Sequence, residues 1–292
     1  MSSTVLLLSP LRQASGNHST IKRIRSHLES EFIICKEWDP ADFDDEEQFL
    51  RKLRENNIDF VIALHAYKAG KYLSTKVPIP YILIFGGTDI NQLHTDEDKL
   101  CKMSRAVEGA RNIVAFSQEM MDKALQIWPD LVKSRASIIK QGIQTRPSAL
   151  SLREVLVKHG HVSSAVITGA TIFLFVGSIR PVKDPLYLIN TMTEWHKERT
   201  DILYVIIGPE AMDLGTPVIA RRNGGNEALI QHGVTGFLFS SPEEFKEIAE
   251  SFIEDAVMQR KITLAAKEQI RREHLPEIEK NAYYKVMNGL KH

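Results

Sequence analysis

Cysteine is scarce in this sequence, which holds only Cys35 and Cys101 among its 292 residues. Two cysteines in a chain of this length do not make a disulfide framework. No residue near either one has the spacing of a metal ligand, so a zinc site built on thiolates is also excluded. We therefore expect both cysteines to be buried free thiols.

The sequence also lacks an excess of either charge, because 37 lysines and arginines balance 37 aspartates and glutamates. A basic excess on one domain is typical of nucleic-acid-binding proteins, so the balance argues against that class of partner. The longest apolar run near the N-terminus covers only residues 5–8, too short for a signal peptide. No stretch approaches the ~18 apolar residues of a membrane span. We expect a cytoplasmic protein without a membrane span.

Short apolar runs alternate with amphipathic helical patterns along most of the chain. Unalternating strands separated by helices predict parallel sheets covered on both faces. The pattern weakens near residue 146 and restarts near residue 171, which predicts an α/β fold with two doubly wound, Rossmann-like lobes. The predicted organisation is a first lobe over 1–146, a connection over 147–170, a second lobe over 171–275 and a C-terminal helix over 276–292.

In the first lobe, polar residues follow three of the predicted strands. Ligands of open parallel sheets bind beyond the carboxyl ends of the strands, so these loops are candidate sites. Gly16 and Asn17 follow the first strand, before a helix that Ser19 or Thr20 would cap. An anion site at that helix start and a plain connecting loop are equally compatible with the pattern.

Two further strands of this lobe end at polar residues. His65 follows the strand over 60–64, and the segment GGTDIN, which contains Asp89, follows the strand over 81–85. Both side chains are candidates for a role near a substrate. The alternative is structural: a loop histidine with its hydrogen bonds satisfied, and a helix capped by Thr88 or Asp89.

The second lobe places cations beside a predicted helix N-terminus. In FVGSIRPVKDPLYLI, Gly177 ends a strand, and Arg180 and Lys183 precede a helix. The helix dipole and two positive charges together favour a diphosphate, although a solvated basic turn is the alternative. Further on, Glu210 could hold ribose hydroxyls, and the turn with Gly225 and Asn226 could bind phosphate or sugar at another helix start.

These motifs together resemble the retaining glycosyltransferases of family 4, which have the two-lobed GT-B architecture. The resemblance covers nearly the whole chain and is strongest in AMDLGTPVIARRNGGNEALI and HGVTGFLF. It implies transfer of a sugar from a nucleoside-diphosphate donor, such as a UDP-sugar, to an acceptor, with no separate cofactor and no metal. The resemblance assigns the residues as follows: Arg180 and Lys183 to the donor diphosphate, Glu210 to the ribose, Gly16 and Asn17 to the phosphates, and His65 and Asp89 to the sugar or acceptor.

The sequence departs from the family pattern just before Glu210. The family has two glutamates eight positions apart, but Ile202 stands where the first would be. The strands over 202–207 and 217–220 should be parallel members of one sheet, yet only nine residues separate them. A parallel crossover needs roughly a dozen residues or more. We therefore expect a missing segment of about 60 residues, roughly two βαβ units, near 208–216, as a splice variant would produce.

The consequence of this expected gap is impaired or absent transfer. Two alternatives remain. One is an intact but unusually short lobe. The other is a non-catalytic relative that binds a nucleotide, a sugar or a protein partner.

An Asp-x-Asp string offers a rival, metal-dependent interpretation. Asp42 and Asp44 fit it, but they lie in an acidic run before a helix, where negative charge favours the helix N-terminus. Because no histidine or further ligand accompanies them, we expect no metal site there.

Overall fold

The structure is a computed structural model that describes residues 2–13, 15–143, 151–158, 163–176, 184–207 and 217–289. The chain divides into two compact units. Unit 1 consists of Met1–Gly142 together with Glu273–His292, and unit 2 of Ile143–Arg272. None of the described helices is both long enough and apolar enough to cross a membrane.

The described elements alternate between strands and helices in both units. The strands are β1 (Ser3–Leu8), β2 (Ile33–Trp38), β3 (Phe60–Leu64), β4 (Tyr81–Ile84), β5 (Asn112–Ala115), β6 (Ala136–Ile138), β7 (Thr171–Val176), β8 (Ile202–Ile207), β9 (Ile219–Arg221) and β10 (Phe237–Phe239). The helices are α1 (Gly16–Leu28), α2 (Glu46–Glu55), α3 (Thr88–Asn91), α4 (Glu97–Gly109), α5 (Gln118–Ile127), α6 (Pro129–Val132), α7 (Leu152–Lys158), α8 (Ser164–Ile167), α9 (Ile189–Glu198), α10 (Gly224–Glu227), α11 (Pro242–Glu254), α12 (Ala256–Glu273) and α13 (Pro276–Asn288).

Unit 1 is a three-layer α/β structure around a parallel six-stranded sheet of order β2-β1-β3-β4-β5-β6. Because successive side chains of a strand point to opposite faces, β1 contributes to two cores. Leu6 and Leu8 join the cluster that includes α2 and α4, whereas Val5 and Leu7 join the cluster that includes α1 and α13. The predicted α/β fold class is confirmed.

The two cysteines do not share one environment. Cys35 on β2 is buried, and burial raises the pKa of its thiol to about 11. Cys101 on α4 is exposed, so the expectation that both thiols are buried is wrong for this residue. It lies on the outer side of an amphipathic helix whose buried residues are Met103, Ala106 and Val107.

Unit 2 contains two separate two-stranded parallel sheets among its described residues, β7 with β8 and β9 with β10. An aromatic core joins the helices α9 and α11 to these strands. Trp195 on α9 is fully buried, and the ring of Phe173 on β7 lies 5.5 Å from the rings of both Trp195 and Phe245.

The expectation that the strands over 202–207 and 217–220 belong to one sheet is wrong. β8 pairs with β7, whereas β9 pairs with β10 through the register Ile219 to Phe237. The three residues of β10 are too few to show a periodic pattern in the sequence, so this partner of β9 was not predicted.

Candidate functional site

The topology of unit 1 brings three of the candidate loops to one edge of its sheet. β1 lies between β2 and β3, so the strand order reverses beside it. Such a reversal opens a crevice beyond the carboxyl ends of the strands, where ligands of α/β sheets bind. The β1–α1 loop, His65 after β3 and Gly86 after β4 all follow these strand ends.

The β1–α1 loop leads directly into the N-terminus of α1. Ser15 is the N-cap, and its Oγ accepts a hydrogen bond from the amide of His18 at 3.3 Å. The expected caps Ser19 and Thr20 are wrong, because α1 begins three residues earlier than Ser19, at Gly16.

The two candidate residues of this loop lie at the start of α1. Gly16 is exposed and Asn17 is half-buried. A Cβ built on Gly16 would meet no atom within 4 Å, so packing does not demand glycine there. The first amides of α1 lie next to this loop. Amides at a helix N-terminus favour negative charge.

His65 is held in an uncommon conformation at the end of β3. Its φ is 87°, in the left-handed region that non-glycine residues rarely adopt, and only 1% of it is exposed. Its Nδ1 accepts a hydrogen bond from the amide of Lys68 at 3.2 Å. The neutral ring therefore carries its proton on Nε2, which lies 2.9 Å from Oγ1 of Thr88 and donates to it.

Burial keeps this histidine neutral. The largest influence on the pKa of His65 is the loss of solvent, which lowers it, while the carboxylate of Asp89 opposes that effect. Oδ2 of Asp89 lies 3.7 Å from Nδ1 of His65, and the net pKa stays below the ordinary histidine value. A neutral imidazole with a fixed tautomer can donate a hydrogen bond from Nε2 without carrying charge.

Asp89 connects the loops that follow β3 and β4. Its fully buried carboxylate accepts hydrogen bonds from the amides of Ala66 at 2.7 Å, Gly86 at 2.9 Å and Ile90 at 3.0 Å. The expectation that Thr88 or Asp89 caps the next helix is wrong. α3 begins at Thr88, and Gly87, with φ of 99°, occupies its N-cap position without a side-chain hydrogen bond.

The structure adds Gly86 and Thr88 to the candidate set in unit 1. A Cβ on Gly86 would lie 3.2 Å from the ring of His65, so the glycine allows the loop after β4 to approach the imidazole closely. The paired glycines of GGTDIN are the sequence signal for this approach, but neither the Thr88 contact nor the tautomer of His65 can be read from residue types.

Four of the predicted donor residues, Gly177, Arg180, Lys183 and Glu210, lie outside the described residues. Gly225 and Asn226 are described, in the single turn of α10. Oδ1 of Asn223 caps this turn by accepting from the amide of Asn226 at 3.0 Å, and Nδ2 of Asn226 donates to the carbonyl of Arg221 at 2.7 Å. Gly225 is exposed, whereas Asn226 is committed to the turn itself.

A cation missed by the sequence analysis lies at the end of β9. The guanidinium of Arg221 stacks on Tyr187, with Cζ 3.8 Å from the ring centroid, and contacts Oδ2 of Asp184 at 3.3 Å. Asp184 directly follows the segment that holds Arg180 and Lys183. This ion pair holds the positive charge of Arg221 at Asp184, the residue that follows Lys183 in the sequence. Across the described ranges, no three His, Cys, Asp or Glu side chains are grouped as metal ligands would be.

Comparison with known proteins identifies a family that matches part of this chain and a relative that matches nearly all of it. The family Glycosyl transferases group 1 matches residues 209–269. Glycosyltransferase 1 domain-containing protein 1 of Xenopus tropicalis is 30% identical, over 98% of this chain and 98% of the relative.

Two solved structures are similar in fold. HepE of Anabaena, solved in complex with UDP and glucose, has a TM-score of 0.73 and 15% identity, and the match covers 99% of this chain and 100% of HepE. Sucrose-phosphate synthase of Thermosynechococcus elongatus has a TM-score of 0.71 and 12% identity, with 99% of each chain covered. On the full-length match to the Xenopus protein, this chain belongs to the glycosyltransferase group 1 family.

Proposed function

We propose that this chain binds a nucleoside-diphosphate sugar, with UDP as the nucleotide, and descends from a retaining sugar transferase whose activity is impaired here. The observation that carries the proposal is the neutral His65, fixed at the carboxyl edge of the unit 1 sheet by Lys68 and Thr88. The fold neighbour HepE, which was solved with UDP and glucose, supports the choice of ligand.

In the proposed site, His65 is the residue that touches the sugar or the acceptor. Its Nε2–H donates to the hydroxyl of Thr88, and a sugar hydroxyl that took the place of Thr88 would receive the same hydrogen bond. Because the imidazole is neutral, it stabilises an oxygen by a hydrogen bond rather than by charge. Asp89 was predicted beside it, near the sugar or the acceptor. Since backbone amides occupy both of its oxygens, we propose that Asp89 positions the loop of His65 instead.

Cations of unit 2 would hold the donor phosphates. Arg180 and Lys183 are the proposed diphosphate ligands after Gly177, with Glu210 on the ribose and the turn of Gly225 and Asn226 nearby. Positive charge there would stabilise the diphosphate as it leaves, the largest electrostatic demand of the reaction. Gly16 and Asn17 would approach the phosphates from the start of α1.

Three observations support a missing segment near 208–216. The alignment with the Xenopus relative is 349 residues long, although this chain has only 292, so the relative contains residues that this chain lacks. The described strands of unit 2 form two separate pairs, as expected if the strands that join them in a complete lobe are absent. Ile202 stands where the family has a sugar-facing glutamate. Retaining transfer needs donor and acceptor held rigidly together, so a gap in the donor lobe would lower the rate.

Calorimetric titration of UDP and a turnover assay test the two parts of the proposal separately. We expect UDP to bind the wild type and to bind Lys183→Ala at least about tenfold more weakly, as loss of a charge-assisted phosphate contact implies. Lys197→Ala is the matched control, because Lys197 is an exposed lysine of the same unit paired with Glu194 at 2.6 Å. No binding by the wild type would remove the donor site from the proposal.

Turnover is measured with UDP-sugars for this chain and for the Xenopus relative side by side. Binding without turnover supports the impaired enzyme and the non-catalytic binding role alike. Turnover equal to that of the relative would contradict the proposed impairment.

A further inference from the structure

The backbone crosses between the two units twice, and each crossing has a residue of unit 1 at one end. The chain leaves unit 1 after Gly142 and returns to it at Glu273. The residues on the unit 1 side of these crossings are bonded to each other. Nζ of Lys140 lies 2.6 Å from Oε2 of Glu273, and the carbonyl of Gln141 accepts from Nδ1 of His274 at 2.9 Å. The two connections are therefore anchored side by side.

The deepest of these anchors is Glu279 on α13. Its side chain is fully buried, and Oε2 accepts a hydrogen bond from the amide of Gly142 at 2.9 Å. A Cβ on Gly142 would lie 2.8 Å from that oxygen and 3.0 Å from Cα of Pro276, so only glycine allows this approach. The last residue of unit 1 before the first crossing is thus fixed through its backbone.

The same carboxylate also holds α1. Nε of Arg23 lies 2.7 Å from Oε2, a second nitrogen of Arg23 lies 3.2 Å from Oε1, and Nε2 of His27 lies 3.0 Å from Oε2. One turn earlier on α1, Oγ1 of Thr20 accepts from Nε2 of Gln141 at 3.2 Å. α1 is therefore tied to the first crossing at Gln141 directly, and at Gly142 through Glu279.

A buried carboxylate of this kind is costly to the fold. Burial, the largest influence, would raise the pKa of Glu279, but the hydrogen bonds from His27 and Arg23 outweigh it and hold the pKa below the ordinary value. Buried ion pairs can often be replaced by apolar residues without loss of stability. An apolar residue could not accept hydrogen bonds at once from the amide of Gly142 and from two side chains of α1, Arg23 and His27.

We propose that Glu279 is a positioning residue, which holds the first crossing and α1 in one arrangement. It thereby places Gly16 and Asn17, at the start of α1, for contact with the donor phosphates. The second half of this inference rests on the proposed UDP-sugar function. α1 carries both features, because its first residues form the candidate phosphate contact, and Thr20, Arg23 and His27 further along it bond to Gln141 and Glu279.

The test compares Glu279→Gln with Glu277→Gln. Glu277 lies on the same helix, but its side chain is 74% exposed, and its Oε2 lies 4.0 Å from Nζ of Lys280. Amide hydrogen exchange is followed at Gly142 in the full chain. In Glu279→Gln we expect exchange at Gly142 to be faster by about five- to tenfold, the factor for one lost hydrogen bond, with no change in β3. Glu277→Gln should match the wild type. Unchanged exchange at Gly142 in Glu279→Gln would overturn the anchor.

UDP affinity separates positioning from a purely structural role. We expect Glu279→Gln to bind UDP several-fold more weakly than Glu277→Gln. Unit 1 should keep the wild-type melting temperature in both variants. Faster exchange with unchanged UDP affinity would overturn the positioning role. If the wild type itself binds no UDP, the proposed function and the positioning half both fail, and the exchange result still decides the anchor.

A milder variant covers the case in which Glu279→Gln does not fold. His27→Gln removes one donor to Oε2 but leaves Arg23 and Gly142 in place. It should give a smaller acceleration at Gly142 and a smaller loss of UDP affinity. An exchange rate at Gly142 equal to that of the wild type would contradict the proposal in that variant too.

Discussion

Strands of similar composition are buried very differently in the two units. All five residues of β3 are buried in unit 1, whereas the first five residues of β7 in unit 2 are half-buried or exposed, with Leu174 37% exposed. β3 has β1 on one side and β4 on the other, with apolar clusters on both faces. β7 has only β8 as a partner among the described strands.

Apolar composition therefore determines where a strand forms, but not how completely neighbouring elements bury it. Coverage comes from neighbours, and a two-stranded sheet supplies few of them. We therefore expect unit 1 to be the more stable unit and unit 2 to open first. Four predictions test this comparison, in order of decreasing effect.

Trp195→Ala should have the largest effect, because Trp195 is the fully buried centre of the aromatic core of unit 2. Truncation of a buried tryptophan costs about 3–5 kcal/mol. We expect unit 2 to lose its cooperative transition while that of unit 1 persists. Calorimetry, with hydrogen exchange to assign the transitions, measures the effect. Equal destabilisation of both transitions would show that the units do not unfold independently.

Ile62→Ala and Leu174→Ala compare equivalent truncations in the two kinds of sheet. Ile62 is fully buried on β3, so its loss should cost about 2–5 kcal/mol in unit 1. Leu174 is already 37% exposed, so its truncation should cost less than about 1 kcal/mol. Denaturant unfolding of both variants gives the two free energies. A larger loss for Leu174→Ala would reverse the comparison.

Gly109→Ala probes how tightly unit 1 is packed. A Cβ there would lie 2.6 Å from the backbone carbon of Ser74 and 2.7 Å from its oxygen, and neither can move without the loop. Overpacking of this kind costs about 1–3 kcal/mol. Gly16→Ala is the control, since its Cβ would meet no neighbour and should change the melting temperature little. Equal melting temperatures for the two variants would mean that the packing around Gly109 yields easily.

The pH dependence of unit 1 should show the smallest effect. Because burial lowers the pKa of His65, the unfolded state binds its proton more readily. The stabilising contribution is complete above the unfolded pKa, about 6.5, and is lost as the pH falls towards the folded pKa. The loss is at most about 1.4 kcal/mol per pH unit.

His65→Asn removes this titration and tolerates the positive φ. Thermal unfolding from pH 7 to 5 should therefore show a shallower decline for the variant than for the wild type. Parallel declines would mean that other groups control the acid sensitivity of unit 1.

The sequence predicted much of unit 1 because its local signals agree with its packing. The strand over 60–64 is an apolar run between turn residues, and β3 has the predicted bounds. The start of α1 was predicted three residues too late, because apolar spacing marks the buried face and not the cap at Ser15.

The candidate site was predictable only as a set of strand ends. Parallel topology placed His65 and Asp89 at one edge, and the structure brings them within 3.7 Å. The tautomer of His65 and the saturation of Asp89 by backbone amides depend on distances, which residue types do not encode. The partner of β9 was missed because the three residues of β10 are too few to show a periodic pattern.

The position of α13 in the sequence has a consequence for the order of folding during synthesis. Tyr283 and Met287 belong to the same buried cluster as β1 and α1, although all of unit 2 lies between them in the chain. The ribosome therefore releases unit 2 while one face of the unit 1 sheet still lacks its last helix. Unit 2 must therefore emerge from the ribosome before α13 can complete this buried cluster of unit 1.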